Sequence, residues 1–306
     1  MASKLSSKHF HDEDAAFAYV EARVWPSGPT CPHCGGVERI SKMQGQSTRK
    51  GLYKCYQCRK PFTVRMGTIF ESSKVALHIW LQAMYLVAGS KKGISSHQLS
   101  RTLGLTVKTA WFLSHRIREA MREGDLAPFG AGGGAVEVDE TYIGRKKGKP
   151  IRGAYHHKMA VLGLVDRESG RARLFHVTQA SGGNIQPIVL DNLSREARLM
   201  TDQAMMYRKI GREFAEHSSV DHEAKEYVRG DITTNTVEGA FSIFKRGMRG
   251  VYQHCAEKHL HRYLAEFEFR YSHREAHGDD DEARADRILK GVVGKRLTYQ
   301  PALARA

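Results

Sequence analysis

The sequence lacks any apolar run long enough to cross a membrane. The uncharged, mostly apolar stretch at residues 75–90 has 16 residues and includes His78 and Gln82, whereas a membrane-spanning helix needs about 20 apolar residues. We interpret this stretch as a buried core helix. The amino terminus also has no basic segment followed by an apolar block and a cleavage site, so we expect a cytoplasmic protein with no membrane partner.

Acidic residues are in the minority. The 33 Asp and Glu stand against 48 Lys and Arg, which gives a net charge of +15 at pH 7. Such an excess predicts a polyanionic partner, and nucleic acid is the partner that this charge favours. With 306 residues and 41% hydrophobic residues, the chain is long enough for a catalytic core and one or two small modules.

Cysteine is scarce, but its spacing is informative. Four of the five cysteines form two pairs, Cys31–Cys34 and Cys55–Cys58, separated by the 20 residues 35–54. Two Cys-x2-Cys turns at this spacing predict a closed, structural zinc site with four thiolate ligands. Two disulfides or unmetallated thiols are the alternative, which a reducing compartment disfavours.

Residues 94–121 predict a short helix, a glycine-containing turn and a second helix, which is the helix-turn-helix pattern. In that interpretation Thr106, Lys108 and Thr109 begin the recognition helix and contact base edges. The bases expected near phosphates are Lys91, Lys92, Arg101, Arg116 and Arg118. A helical hairpin that only forms part of a core remains the alternative.

A glycine-rich stretch at residues 127–135 predicts a linker and a domain boundary. Beyond it, residues 136–143, 158–165 and 173–178 predict three antiparallel strands, followed by a helix at 184–193 and a strand at 197–201. The first hairpin is expected to contact phosphates, although a solvated tip would have the same composition. Its bases are Arg145, Lys146, Lys147, Lys149, Arg152 and Lys158.

The strand VEVDETYIG, residues 136–144, carries the central carboxylates. Its alternation directs Asp139 and Glu140 to opposite faces, and we favour Asp139 as the site residue. Asp202 ends a short apolar strand, and Glu238 opens a helical stretch. Carboxylates brought together need a cation, and oxygen ligands with open positions suit Mg²⁺ or Mn²⁺. Two such ions could support hydrolysis or transfer at a DNA phosphate.

The third carboxylate has competing interpretations. Lys245 follows Glu238 by seven positions, so both lie on one helix face and the lysine could bind a phosphate. However, residues 235–238 also fit a capping box with Asn235 as N-cap and Glu238 reaching back. Glu266, Glu268 and Asn235 are rival site residues.

Several motifs together resemble the DDE-type insertion-sequence transposases with an N-terminal zinc ribbon. They are CPHCGG, CYQC, VEVDETYIG, LMTDQ, TNTVEGAFSIFKRGMRG and HRYLAEFEFRYSHR, between residues 31 and 274. The resemblance implies an RNase H-like catalytic fold, metal-dependent strand cleavage and transfer at transposon ends, and an oligomer that pairs two ends. By position, Asp139 and Asp202 match the first two acids, and Glu238 with Lys245 matches the third acid and its basic companion. Some relatives carry an asparagine and a lysine in the last part of the motif, and Asn235 is a candidate for that asparagine.

We therefore predict an α+β multidomain protein that combines a zinc ribbon, a helix-turn-helix region and an RNase H-like α/β domain. The predicted divisions are 1–66 for the ribbon, 67–126 for the helices, 127–134 for the linker, 135–274 for the catalytic domain and 275–306 for a basic tail. The expected function is DNA transposition on double-stranded DNA. Lys108, Thr109, Arg116, Arg145, Lys146, Lys147, Arg246 and Arg249 are the predicted DNA contacts. A DNA-binding regulator with an inactive nuclease-like domain, or a nuclease that only hydrolyses, are the alternatives.

Overall fold

The computed structural model describes residues 3–124, 126–151, 155–221, 224 and 226–298. These residues form two compact units: the first extends to Arg122 and resumes at Asp280, and the second runs from Glu123 to Asp279. In the part of the chain described here, no helix is both long enough and apolar enough to span a bilayer.

The protein mixes helices and strands, as predicted from the sequence. The α-helices of the described residues are α1 (Glu13–Val24), α2 (Leu77–Gly89), α3 (Ser96–Leu103), α4 (Val107–Met121), α5 (Gly182–Asn192), α6 (Tyr207–Gly211), α7 (Asn235–Gly247), α8 (Leu260–Ser272) and α9 (Asp281–Lys290). The strands are β1 (Ile40–Lys42), β2 (Tyr53–Cys55), β3 (Pro61–Phe62), β4 (Ala135–Ile143), β5 (Met159–Asp166), β6 (Ala172–Val177), β7 (Arg198–Asp202), β8 (Glu216–Val220), β9 (Val228–Arg229) and β10 (Ile232–Thr233).

The first unit combines the small antiparallel sheet β1–β2–β3 with a helical core. The predicted core helix is confirmed, because Trp80, Met84 and Val87 of α2 are buried. The segment predicted as a basic tail instead contains α9, whose Ile288 and Leu289 are buried in this unit. Asp280 caps α9 by accepting the backbone N–H of Ala283 at 2.8 Å.

The glycine-rich stretch is not a free linker. Phe129 is buried, its N–H donates to the carbonyl of Asn192, and its own carbonyl accepts the N–H of Ser194. Gly130 has a φ of 73°, and a Cβ at that position would lie 2.4 Å from the Cβ of Ala197. These residues belong to the second unit, so the boundary falls earlier in the chain, after Arg122. Glycine is needed here because the backbone is closely packed. Composition alone does not distinguish a closely packed glycine-rich segment from a flexible one.

The second unit is built on a five-stranded mixed sheet in the order β6–β5–β4–β7–β8. The predicted antiparallel meander β4–β5–β6 is confirmed, and β7 and β8 continue the sheet in parallel with β4. One apolar core contains residues of α7 and α8, and the other contains residues of α5 and α6. A Cβ on Gly163, opposite Asp139, would lie 2.7 Å from Phe241, so glycine permits α7 to approach the sheet closely there.

Candidate active site and metal centre

The four paired cysteines converge in the first unit. Each offers a sulfur, and all four sulfurs lie within 4.8 Å of one another. The Sγ–Sγ distance is 3.6 Å between Cys31 and Cys58 and 3.7 Å between Cys34 and Cys55. A tetrahedron with metal–sulfur bonds of about 2.3 Å has edges of about 3.8 Å, so the cluster fits a tetrahedral ion.

The pKa values of these thiols are also consistent with a cation bound between them. Hydrogen bonding from the backbone N–H of Cys58 lowers the pKa of Cys55 to about 7. The N–H of Gly36 acts in the same direction on Cys34, but burial and the other three sulfurs raise the pKa of Cys34 to about 12. Thiolates this close repel one another, and a bound cation removes that repulsion.

Asp139 and Asp202 come from neighbouring parallel strands. In the pairing of β4 with β7, Ala135 lies opposite Arg198 and Glu137 opposite Met200. Continuing this register by two residues places Asp139 beside Asp202, on the same face of the sheet. The local backbone orients both carboxylates, because Asp139 accepts the N–H of Glu140 at 2.7 Å and Asp202 accepts the N–H of Ala204 at 3.0 Å.

The predicted separation of Asp139 from Glu140 is confirmed. Glu140 accepts a hydrogen bond of 2.7 Å from the hydroxyl of Tyr207, which belongs to the apolar core containing α5 and α6. Asp139 lies beside Phe241 of α7 in a cleft that Glu140 also lines. Strand alternation therefore gives the two adjacent acids different partners, although both border the cleft.

Glu238 lines the same cleft, which has a volume of about 800 Å³. Lys245 follows it on this side of α7, so the predicted shared helix face is confirmed. The predicted capping box is wrong in detail, because Thr234 rather than Asn235 is the N-cap residue of α7. The Thr234 hydroxyl donates to Glu238 Oε1 at 2.9 Å, which orients the carboxylate within the first turn.

The rival residues lie in other environments. Glu266 is fully buried, pairs with Arg270 and accepts the hydroxyl of Tyr252. Glu268 accepts the backbone N–H of Leu174, and burial raises its pKa to about 7. Asn235 is exposed at the first position of α7, outside the residues that line the cleft. Among these candidates the geometry favours Glu238.

The cleft concentrates negative charge in a partly buried place. Burial is the main cause that raises the pKa of Asp139 to about 8, and the charge of Glu140 is the second cause. The charges of Asp202 and Glu238 raise it further. Burial lowers the pKa of Lys245, and the nearby Arg249 lowers it too. Carboxylates that oppose one another's ionisation form a donor set suited to a hard divalent cation.

The two candidate metal sites differ in compactness. Within the described ranges, only the cysteine cluster brings three or more ligand atoms of His, Cys, Asp or Glu within 4.8 Å of one another. The carboxylates of Asp139, Glu140 and Glu238 line a wider cleft, in which Arg246 and Arg249 are exposed. Such a cleft has room for a phosphate as well as for cations.

Sequence reasoning assigned no role to Glu137, although it lies on the Asp139 face of β4. Its carboxylate is fully buried and pairs with Arg167, with 2.6 Å between Oε1 and Nε. It also accepts the N–H groups of Thr236 and Val237 at the start of α7. The available signal was an ionisable residue between two apolar neighbours in a buried strand.

The hairpin between β4 and β5 presents the predicted bases in different ways. Arg145 and Lys147 are exposed. Lys146 donates to the carbonyl of Thr178 at 2.7 Å and lies 3.7 Å from a Glu257 carboxylate oxygen. Lys146, Lys149 and Lys158 line a second cleft, of about 460 Å³, together with Tyr142 and Tyr155. Arg152 lies outside the described residues.

The predicted pair of helices is present as α3 and α4, with Gly104 at a φ of 65° between them. Lys108 is exposed, whereas Thr109 is half-buried and its N–H and hydroxyl bond to the hydroxyl of Thr106. The expected phosphate contacts of Lys91, Lys92 and Arg101 remain predictions, and all three residues are exposed.

Two of the predicted phosphate contacts on α4 are wrong. Arg116 is buried and donates to the backbone carbonyls of Ile69 and Leu297 at 2.8 and 3.0 Å. Arg118 is 2% exposed and bonds to the hydroxyl of Ser114. The physical reason is that the second half of α4 is surrounded by protein, so these guanidinium groups satisfy internal acceptors.

Comparison with known proteins agrees with this arrangement. Residues 11–61 match the model of the transposase zinc-ribbon domain, and residues 132–272 match the model of the ISXO2-like transposase domain. A curated relative from Halobacterium salinarum, described as an uncharacterized protein in transposable element ISH50, is 29% identical over 282 residues, which are 86% of this chain and 92% of the relative. The resemblance to the DDE-type insertion-sequence transposases with an N-terminal zinc ribbon, seen in the sequence, is confirmed.

Proposed function

We propose that this protein binds the terminal repeats of its element, cleaves DNA there and joins the cleaved end to a target. The observation that carries the proposal is the convergence of three acids. Asp139 and Asp202 occupy matching positions on neighbouring parallel strands, and Glu238 lines the cleft beside Asp139. The catalytic domain is RNase H-like in this proposal, which its antiparallel meander, parallel extension and two helical layers support.

Asp139, Asp202 and Glu238 would hold Mg²⁺ or Mn²⁺, and the four clustered cysteines would hold zinc. When bound, the divalent cations supply activation of the attacking oxygen and stabilisation of the leaving oxygen. The chain's own basic groups bind the DNA: Lys245, Arg246 and Arg249 line the cleft and contact phosphate oxygens. Cleavage and joining then proceed without a covalent bond between protein and DNA.

Recognition of the ends is assigned to the first unit. The zinc ribbon and the pair α3–α4 contact the terminal repeats, with Lys108 and Thr109 at the start of the recognition helix. Arg145, Lys146 and Lys147 contact the backbone of double-stranded DNA beside the catalytic cleft. The protein acts in the cytoplasm as a homo-oligomer that pairs two transposon ends.

A strand-cleavage assay tests the proposal. The substrate is a duplex that carries the DNA flanking the gene, with an unrelated duplex of equal length as control. We expect Mg²⁺-dependent nicking at the end of the element and joined products when a 3′ hydroxyl end is supplied. Asp139→Ala abolishes both, whereas Asp191→Ala, an exposed acid of α5, leaves both unchanged.

The other outcomes identify other functions. Specific binding without nicking by the wild-type protein points to a DNA-binding regulator. Nicking without joined products points to a nuclease that only hydrolyses. Comparing Glu238→Gln with Asn235→Ala in the same assay decides the third site residue, and activity that depends on Asn235 alone removes Glu238 from the site.

A further inference from the structure

A buried carboxylate stands beside the candidate site without belonging to its cleft. Glu137 precedes Asp139 by two residues on β4, so both side chains project from the same face of the strand. Glu137 has no exposed surface. A buried carboxylate is costly unless charged and hydrogen-bonding partners surround it, so the contacts of Glu137 indicate what it stabilises.

The partners of Glu137 lie in the first turn of α7. Its Oε2 accepts the backbone N–H groups of Thr236 and Val237 at 2.8 and 2.9 Å, and its Oε1 accepts the Thr236 hydroxyl at 2.8 Å. The first N–H groups of a helix have no partner within the helix, and an acid is favoured there by the helix dipole. A side chain of strand β4 therefore caps α7.

Arg167 extends the same contact to the segment before α7. It follows the last residue of β5 and pairs with Glu137 Oε1 at 2.6 Å. Its two terminal nitrogens donate to the carbonyls of Asp231 and Thr233, at 2.5 and 2.9 Å. One guanidinium thus ties the buried carboxylate to the chain that leads into the helix.

These contacts determine where α7 begins relative to β4. Glu238 directly follows the capped residue Val237, and Asp139 lies about 7 Å from Glu137 along the strand. We infer that Glu137 and Arg167 are positioning residues that hold Glu238 at a fixed separation from Asp139 and so preorganise the carboxylates for divalent cations. The inference rests on the proposed metal-dependent function.

An acid–base pair that only stabilises the fold is not expected to affect metal binding when it is broken. The chain contains such a pair, which serves as a matched control. Glu266 and Arg270 form a second acid–base pair with a fully buried carboxylate in the same unit, on α8. Glu266 of this pair accepts the hydroxyl of Tyr252, which lies after the end of α7. Breaking either pair destabilises the unit, and breaking the pair at Glu137 also disturbs the acceptor of the Thr236 and Val237 N–H groups.

The test is a Mn²⁺ titration of the full-length, zinc-loaded protein, followed by electron paramagnetic resonance without DNA. Mn²⁺ that the wild type binds and that Asp139→Ala does not bind is assigned to the carboxylate site. Glu137→Gln and Glu266→Gln are both expected to lower the melting temperature. Only Glu137→Gln is expected to weaken Mn²⁺ binding, by about tenfold or more, as is usual for residues that orient metal ligands.

Arg167→Lys and Arg270→Lys repeat the comparison with milder changes that keep the positive charge. Lysine keeps a charge near Glu137 but cannot reach both carbonyls at once, so we expect a smaller loss of Mn²⁺ affinity for Arg167→Lys alone. Equal Mn²⁺ binding by the Glu137, Arg167 and control variants overturns the inference and leaves the proposed function intact. Absence of any Asp139-dependent Mn²⁺ in wild type overturns the proposed function itself, and the inference with it.

Discussion

The two candidate metal sites of this protein are assembled in opposite ways. The sulfur cluster is supplied by two short turns, Cys31–Cys34 and Cys55–Cys58, around the small sheet β1–β2–β3. The carboxylate cleft draws Asp139 from β4 and Glu238 from α7, far apart in the chain, with Asp202 beside them on β7. A local site is encoded by spacing, whereas a site between distant elements depends on the pairing and packing that bring them together.

This difference affects stability as well as assembly. The sulfur cluster has a small apolar neighbourhood, in which Cys31, Cys55 and Phe62 are the buried residues, so an ion bound there would contribute much of its folding free energy. The carboxylate cleft lies against a large core that includes Val237, Phe241 and Phe244 of α7. Loss of a ligand is expected to unfold the first site and only to inactivate the second.

The largest expected effect is the loss of a cysteine ligand. Cys55→Ser removes bound zinc and unfolds β1–β3, because structural zinc contributes about 10–16 kcal/mol in small zinc domains. The calorimetric transition of the second unit stays unchanged. Zinc content measured by atomic absorption, together with calorimetry, checks this, and Cys255→Ser outside the cluster is the matched control. A variant that keeps its zinc contradicts the comparison.

The second prediction concerns the raised pKa of Asp139 in the metal-free cleft. The pKa of Asp139 is raised from 3.8 to about 8, so the folded state binds this proton more tightly than the unfolded state does. Its stabilising contribution is therefore present below pH 3.8 and is lost as the pH rises towards about 8. Each unit of pKa difference corresponds to about 1.4 kcal/mol.

Urea unfolding of the metal-free protein between these pH values measures this contribution. Asp139→Asn is expected to flatten the decline in stability with rising pH. Mg²⁺ is expected to restore stability at the upper end for the wild type but not for Asp139→Asn. Asp191→Asn, an exposed acid, is the control. An unchanged pH dependence in Asp139→Asn would falsify the raised pKa of Asp139 in the folded protein.

The third prediction is that an exposed base of the first unit contributes to DNA binding, whereas a buried base contributes to stability. Lys108→Ala combined with Thr109→Ala is expected to weaken specific binding of the terminal repeat by about 1–3 kcal/mol, with less effect on an unrelated duplex. Arg116→Lys lowers the melting temperature instead, because the carbonyls of Ile69 and Leu297 lose donors. Fluorescence anisotropy and thermal unfolding distinguish the two, and equal loss on both duplexes removes the recognition-helix assignment.

The smallest expected effect lies at the outer wall of the carboxylate cleft. Arg249 is exposed there, so Arg249→Ala removes one phosphate contact and lowers the slope of log affinity against log salt by about 0.9. Lys209→Ala, an exposed base on α6, is the control. Identical slopes for wild type and Arg249→Ala exclude this arginine from the DNA interface.

Much of the fold was predictable because short-range patterns specify it. Alternation in residues 136–144 predicted β4 and the opposite orientations of Asp139 and Glu140, and both are present. The uncharged run at residues 75–90 predicted α2, and the helix-turn-helix pattern at residues 94–121 predicted α3 and α4. The glycine-rich segment was misread as a linker, because the composition of a close-packed turn resembles that of a flexible one.

The sequence by itself determined the local features of this protein: the cysteine turns, the strand that carries Asp139 and the helix face shared by Glu238 and Lys245. Each depends on residues within a few positions of one another, where chain geometry alone fixes the arrangement. Only the tertiary structure decided the burial of Arg116, the neighbouring positions of Asp139 and Asp202, and the contact of Glu137 with α7. These depend on sheet register and on packing between distant segments, which no short stretch of sequence contains.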